Sequence, residues 1–189
     1  MAATEPIRDK KILQDLANYW LKRGVLRNYA LIVVGACSFL RPSDLLRLTW
    51  DDVYDFERST FRSHITLTEK KTGKNKKVAL NRQAVKALKL YFPHRRGDYI
   101  FSNNRKDLAP LSRVQAWRIM RVAIDAIGAV GQIALYSLCK TAGYHAWKEG
   151  VSPVILMDIY NHSSYAITRR YLGVAQDDRD EVYLGLALF

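Results

Sequence analysis

Apolar positions along the chain recur first with helical period and then, over one stretch, with strand period. Between Asp9 and Arg23, Ile12, Leu13, Leu16, Tyr19 and Trp20 form a helical stripe that Gly24 closes. Leu26 to Phe39 is more evenly apolar and predicts a buried helix. Pro42 suits the first turn of a short helix, where a missing N–H costs nothing, with Leu45, Leu46 and Leu48 facing inward. From Thr60 to Leu80 the period becomes two. Phe61, Ser63, Ile65 and Leu67 form one face, KKTGKNKK supplies a turn, and Val78 and Leu80 follow, which predicts a β-hairpin with a basic tip. Asn81 reads as the N-cap of a helix to Phe92 with Val85 and Leu88 on one face, and Tyr99 to Phe101 as a short strand. Ser112 starts a helix through Val114, Trp117 and Ile124 to Gly128. The last third predicts short helices over 137–149, 152–160, 166–170 and 177–188. The fold class is α+β, mostly α-helical, with one small antiparallel sheet.

Length and charge narrow the picture. The 189 residues fit one domain, and 49% hydrophobic content is enough for a sizeable core. No apolar run approaches the roughly 20 residues that span a bilayer, and MAATEPIRDKK lacks the apolar stretch of a signal peptide. Cys37 and Cys139 are too few for a disulfide framework or a cysteine-built metal site, and fit a reducing cytoplasm. Thirty Lys and Arg against 18 Asp and Glu leave a net charge of +12. Such an excess favours a polyanionic partner, because each phosphate neutralised releases condensed counterions. A generically basic protein stays open on charge alone.

Four separated segments carry candidate chemistry. Arg41, in FLRPSDLLRLTW, sits at a helix start where a guanidinium can fork onto phosphate oxygens; alone it reads equally as a surface arginine. The hairpin tip brings Lys70, Lys71, Lys74, Lys76 and Lys77 together, either as phosphate contacts or as a solvated turn. The third segment is YSLCKTAGYHAWKEG, residues 136–150, and the fourth is NHSSYAITRRYLG, residues 161–173. In the fourth, Tyr171 lies nine residues after His162 and beside Arg169 and Arg170. A phenol titrates near pKa 10, so using it as a nucleophile needs cationic neighbours or a base.

In this order the four segments resemble the catalytic domain of the tyrosine recombinase, or phage integrase, family. FLRPSDLLRLTW is similar to the family's G-L-R-x-S-E-L-L-x-L-x-W and places its first arginine at Arg41. KKTGKNKKVAL places the hairpin lysine at Lys71, and YNHSSYAITRRYL places the second histidine at His162 and the nucleophile at Tyr171. The resemblance implies a DNA breaking–rejoining fold over residues 1–189, lacking the N-terminal core-binding domain. Met1 then begins either a compact catalytic-only protein or a cut fragment. Residues 174–189 would form a tail helix, with Val182, Leu184, Leu186 and Leu188 apolar, packed on its own domain or docked on a neighbouring protomer.

The implied reaction is attack of Tyr171 on a DNA phosphodiester, with Arg41 and a second arginine on the non-bridging oxygens, Lys71 protonating the leaving 5′ oxygen and His162 donating to the phosphate. No metal or other cofactor is required. Implied partners are double-stranded DNA, touched also by Lys70, Lys74, Lys76, Lys77, Lys140, Arg169 and Arg170, and three further copies in a tetramer that falls to a monomer or weak oligomer without DNA. From the net charge of +12, Arg95, Arg96, Arg113, Arg118 and Arg121 are expected to add phosphate contacts. The setting implied is a bacterial cytoplasm, at the nucleoid, with no membrane.

One segment departs from the family. Where H-x-L-R-[HK]-T is usual, the chain has Tyr136-Ser137-Leu138-Cys139-Lys140-Thr141. A phenol at 136 can still donate a hydrogen bond, but a thiol at 139 carries no positive charge. Lys140 faces about 100° away on the helix, which works against its replacing the lost guanidinium. Two readings follow: a site-specific recombinase weakened at its second-arginine position, or an inactive DNA-binding regulatory or accessory protein. A relaxing topoisomerase shares the chemistry, but no residue favours it.

Overall fold

Asp9 opens the first helix by accepting the Lys11 N–H, and Lys22 closes it near the carbonyl end, where a cation is favoured. A computed structural model of the chain describes residues 4–174 and 176–187. Among them the order is α1 (Lys10–Lys22), α2 (Leu26–Cys37), α3 (Pro42–Leu45), α4 (Trp50–Val53), β1 (Tyr54–Asp55), β2 (Thr60–Phe61), β3 (His64–Thr68), β4 (Asn75–Ala79), α5 (Arg82–Tyr91), a 3-10 turn (Phe92–His94), α6 (Arg113–Ile127), α7 (Leu135–Lys148), α8 (Pro153–Ile159), α9 (Tyr165–Leu172) and α10 (Gln176–Leu184).

Helix α2 is the hub, packed by α1, α5 and α7. Its Ala30, Leu31, Ile32 and Val34 are wholly removed from water, and burying each larger aliphatic side chain stabilises the fold by about 1.5–3 kcal/mol. Gly35 lets α7 approach, since a Cβ there would lie 2.8 Å from Leu138 Cδ1. This main core holds α1 to α6 and the start of α7. A second, smaller cluster, formed by Cys139, Leu156, Tyr160 and Leu172, joins α7, α8 and α9.

The expected single sheet is two. β3 and β4 pair antiparallel with Ile65 opposite Val78, whereas Phe61 belongs to a separate pair in which β2 faces β1, Tyr54 opposite Phe61. Phe61 and Tyr54 pack on Phe92, and that aromatic contact draws Phe61 out of the hairpin. Strand β4 starts at Asn75, so Lys76 and Lys77 are strand residues and the turn spans 69–74. Because strand side chains alternate, Lys76 shares the inward face with Val78 and is buried. Tyr99 makes one bridge, to Thr49, rather than a strand.

The helix caps fall where the residues place them. Asn81 accepts from Ala84, and Ser112 forms a capping box with Gln115 before Gly128 ends α6 in left-handed geometry. On α6, however, Val114 and Trp117 point outward while Ala116, Ile119, Met120, Ala123 and Ile124 are buried. Helix α9 is longer than expected, capped by Ser164 and ended by Gly173, so Tyr171 lies in its last turn. On α10, Val182 and Leu184 are exposed, as is Leu186 beyond it, and Asp178 anchors the helix to Arg8 and Lys148. Leu188 lies outside the described residues. Among those residues no helix is long and apolar enough to cross a membrane.

Candidate active site

Arg41 is the extended residue before α3, and its side chain turns inward until only 6% of the residue remains exposed. Its Nη1 pairs with Glu69 Oε1 at 2.7 Å, and its Nη2 donates to the Tyr160 carbonyl at 2.7 Å. Glu69, just past β3, is buried and collects four partners. Its Oε2 accepts from Thr72 Oγ1 at 2.7 Å and Asn161 Nδ2 at 3.2 Å, and Lys76 Nζ stands 3.5 Å from Oε1. Burial pushes the Glu69 carboxyl up, but the Thr72 hydroxyl and the Arg41 and Lys76 cations outweigh it and leave it below the usual range. The same turn is tied to α3, where Asp44 Oδ1 accepts the Lys70 N–H at 3.0 Å.

Helices α7 and α9 meet at Cys139. The Tyr171 hydroxyl donates to Cys139 Sγ at 3.0 Å, and that thiol donates to the Phe39 carbonyl at 3.4 Å. Tyr160 completes the seam by donating its hydroxyl to the Cys139 carbonyl at 2.7 Å. Gly143 makes room for it, since a Cβ there would fall 2.3 Å from the Tyr160 hydroxyl. Burial pushes the Cys139 thiol up to about 11, against the pull of the Tyr171 hydrogen bond and the Lys76 and Arg41 cations. Burial, then the Cys139 and Tyr136 groups, holds the Tyr171 phenol well above its ordinary range.

His162 stacks on Tyr160 and meets Tyr171 edge-on, with ring centroids 5.2 and 5.0 Å away. Its Nδ1 lies 3.0 Å from Thr168 Oγ1. Burial first, then the Arg41, Lys71 and Lys76 cations, lowers its pKa to about 4, so the ring is neutral near neutral pH. Tyr136 packs edge-on against Tyr171 at 5.8 Å, and Lys140 Nζ lies 5.5 Å over the Tyr171 ring.

An open cavity of about 760 Å³ gathers Arg41, Lys71, Lys74, Tyr136, Lys140, His162, Arg170 and Tyr171 on its walls. Residues separated by up to 130 positions thus face one space. The other candidates lie elsewhere. Lys70 lines a neighbouring apolar groove with Arg113 and Trp117, and Lys77 faces the far side of the hairpin. Lys76 is spent on Glu69 and the Phe39 carbonyl, and Arg169 is exposed outside the cavity. Cys139 sits behind Tyr171, out of the wall. Arg95 stacks on Phe92 and Arg121 pairs with Asp125.

Sequence reasoning missed Glu69, Asn161 and Thr168. Glu69 looked like part of a solvated tip, and nothing local reveals its pairing with Arg41. Asn161 left a usable trace, since asparagine just before His162 tolerates the left-handed backbone that it adopts there, φ 54°.

Comparison with known proteins gives a consistent picture. The sequence model of the phage integrase family matches residues 9–177. A probable integrase/recombinase of Bacillus subtilis strain 168, YoeC, is 34% identical over 184 residues, covering 97% of each chain. The tyrosine recombinase XerD of Mycobacterium leprae is 28% identical over 173 residues, 85% of this chain but 52% of that one, so the chain spans about half its length. Among solved structures, XerA recombinase superposes with a TM-score of 0.76 at 22% identity, over 97% of this chain and 66% of that one. XerH site-specific recombinase bound to its palindromic difH substrate superposes at 0.74 with 17% identity, over 90% of this chain and 50% of that one.

Proposed function

The chain belongs to the phage integrase family, and from that premise we propose that it is a site-specific DNA recombinase acting through Tyr171. The carrying observation is the convergence of Arg41, Lys71, His162 and Tyr171 on one cavity. In this reading Tyr171 Oη bonds to a DNA phosphorus while the 5′ oxygen departs, leaving a 3′-phosphotyrosyl link. Lys71, on the hairpin turn, protonates the 5′ oxygen, and the phenol's proton passes to solvent, from which Lys71 is reprotonated. Arg41 keeps guanidinium hydrogens for a non-bridging oxygen because Glu69 and Tyr160 fix its orientation. With its one hydroxyl hydrogen turned to Nδ1, 3.0 Å away, rather than to the Ser164 carbonyl at 3.4 Å, Thr168 leaves the Nε2 hydrogen of neutral His162 for the phosphate. The phosphotyrosine conserves the bond energy, so rejoining needs no cofactor.

Double-stranded DNA is the partner in this reading, bound at the bacterial nucleoid, with four copies assembling on it as the exposed apolar tail of α10 docks on a neighbour. One observation favours the second reading, an inactive DNA-binding accessory protein: the Tyr171 hydroxyl points at a neutral thiol rather than at a guanidinium. Covalent trapping separates the two. Nicked suicide duplexes made from the gene's flanking DNA should give a denaturation-resistant adduct with the wild type and none with Tyr171→Phe. An adduct only with Cys139→Arg would establish the accessory reading.

A further inference from the structure

Of the two arginines on the cavity wall, Arg170 is exposed in the last turn of α9, and Arg41, the one the motifs assign to the phosphate, is buried and ion-paired. Glu69 takes up the charge of Arg41 together with that of Lys76, and both cations are buried against it. A phosphodiester that becomes a doubly charged pentavalent species therefore meets less positive charge here than a two-arginine site would supply. Among the described residues Lys140 forms no salt bridge, and it shares the cavity wall with Arg41, Lys71, His162 and Tyr171.

We propose that Lys140 is the second cation on the reacting phosphate, replacing the guanidinium absent at Cys139. This rests on the strand-transfer reading above. The objection from helix geometry, that residues 139 and 140 face different ways, is met by where Tyr171 sits. Both side chains reach it. Cys139 Sγ receives the hydroxyl from the protein side at 3.0 Å. Lys140 Nζ stands over the ring face at 5.5 Å. Lys140 is half-buried, and its ammonium is held by the Thr4 carbonyl. Thr4 belongs to a strap that crosses α7 and α9: the Ile7 N–H donates to Thr141 Oγ1 at 2.9 Å, and Arg8 Nη2 donates to the Gly173 carbonyl at 2.6 Å. The strap parks Lys140 at the cavity edge. A phosphate oxygen entering the cavity competes with that carbonyl as an acceptor, and the four-carbon stem lets the ammonium swing to it. The covalent step is unchanged: the Tyr171 oxygen–phosphorus bond forms, the bond to the 5′ oxygen breaks, and the net proton transfer runs from the phenol to the 5′ oxygen.

The test uses the full chain and suicide duplexes carrying either an ordinary phosphate or a methylphosphonate at the scissile position. A methylphosphonate has no charge to neutralise, so it distinguishes a missing cation from a disturbed fold. Lys140→Gln should lower the adduct rate on phosphate about 10²–10³-fold, with an unchanged melting curve, and recover most of it on methylphosphonate. Lys140→Arg should retain the rate, and adding Cys139→Arg to Lys140→Gln should restore it. Wild-type rates from Lys140→Gln, or equal losses on both duplexes, would overturn the proposal. An adduct from Cys139→Arg but not from the wild type would overturn it while leaving the fold's chemistry intact. No adduct from any variant would remove the strand-transfer reading, and Lys140 with it.

Discussion

The Tyr171 hydroxyl donates to Cys139 Sγ across 3.0 Å, so the proposed nucleophile is held by the residue proposed to stand in place of a second arginine. A thiol at this spot acts as a small, buried acceptor that orients the phenol without charging the site. Cys139→Ala leaves that phenol without its acceptor and should destabilise the fold by about 1–3 kcal/mol. In a double-mutant cycle with Tyr171→Phe, urea unfolding should give a coupling of about 0.5–1.5 kcal/mol. Strict additivity of the two changes would mean the contact carries no energy.

Glu69 neutralises two buried cations, Arg41 and Lys76. Glu69→Gln keeps the shape but strands both charges, so a loss of about 3–5 kcal/mol is expected on chemical unfolding. Combining it with Lys76→Met should return a large part of that loss. A Glu69→Gln protein as stable as the wild type would show that the carboxylate does not organise the site.

Stability should depend on His162 in the acid range. Its folded pKa, about 4, lies below the ordinary 6.5, so the folded chain binds fewer protons than the unfolded one between those values. The contribution is complete above 6.5 and is lost progressively as the pH falls toward 4. Thermal melting should therefore fall across that window, and less steeply in His162→Gln. Parallel curves for the two proteins would assign the acid loss to other groups.

Binding to duplex DNA should be strongly salt-dependent. With about six phosphates neutralised, the slope of log K against log salt should be roughly −5. A filter-binding series giving a slope near zero would contradict a DNA-binding role for the +12 chain.

Much of this architecture was legible in the residues. Helices α1, α5 and α6 follow from stripes bounded by Asp9, Asn81, Ser112 and Gly128, because caps and glycines act locally. Phe61 misled for the opposite reason: its alternation is real, but Phe92, far along the chain, decides its strand partner. Arg41, Lys71, His162 and Tyr171 were legible only through the resemblance of their motifs to a family, and they share the cavity wall. Glu69 was not, since a carboxylate among lysines reads as solvated until tertiary packing closes Arg41 over it. Lys76 shows the same limit, because strand register rather than composition turns it inward.

The most direct test of the central claim is the identity of the residue that joins DNA. Adduct trapped on a suicide duplex would be digested with nuclease and trypsin and the modified peptide sequenced by mass spectrometry. The account predicts a nucleotide phosphate on Tyr171, in the tryptic peptide 171–179. Modification on any other peptide, or an adduct that persists in Tyr171→Phe, would contradict it.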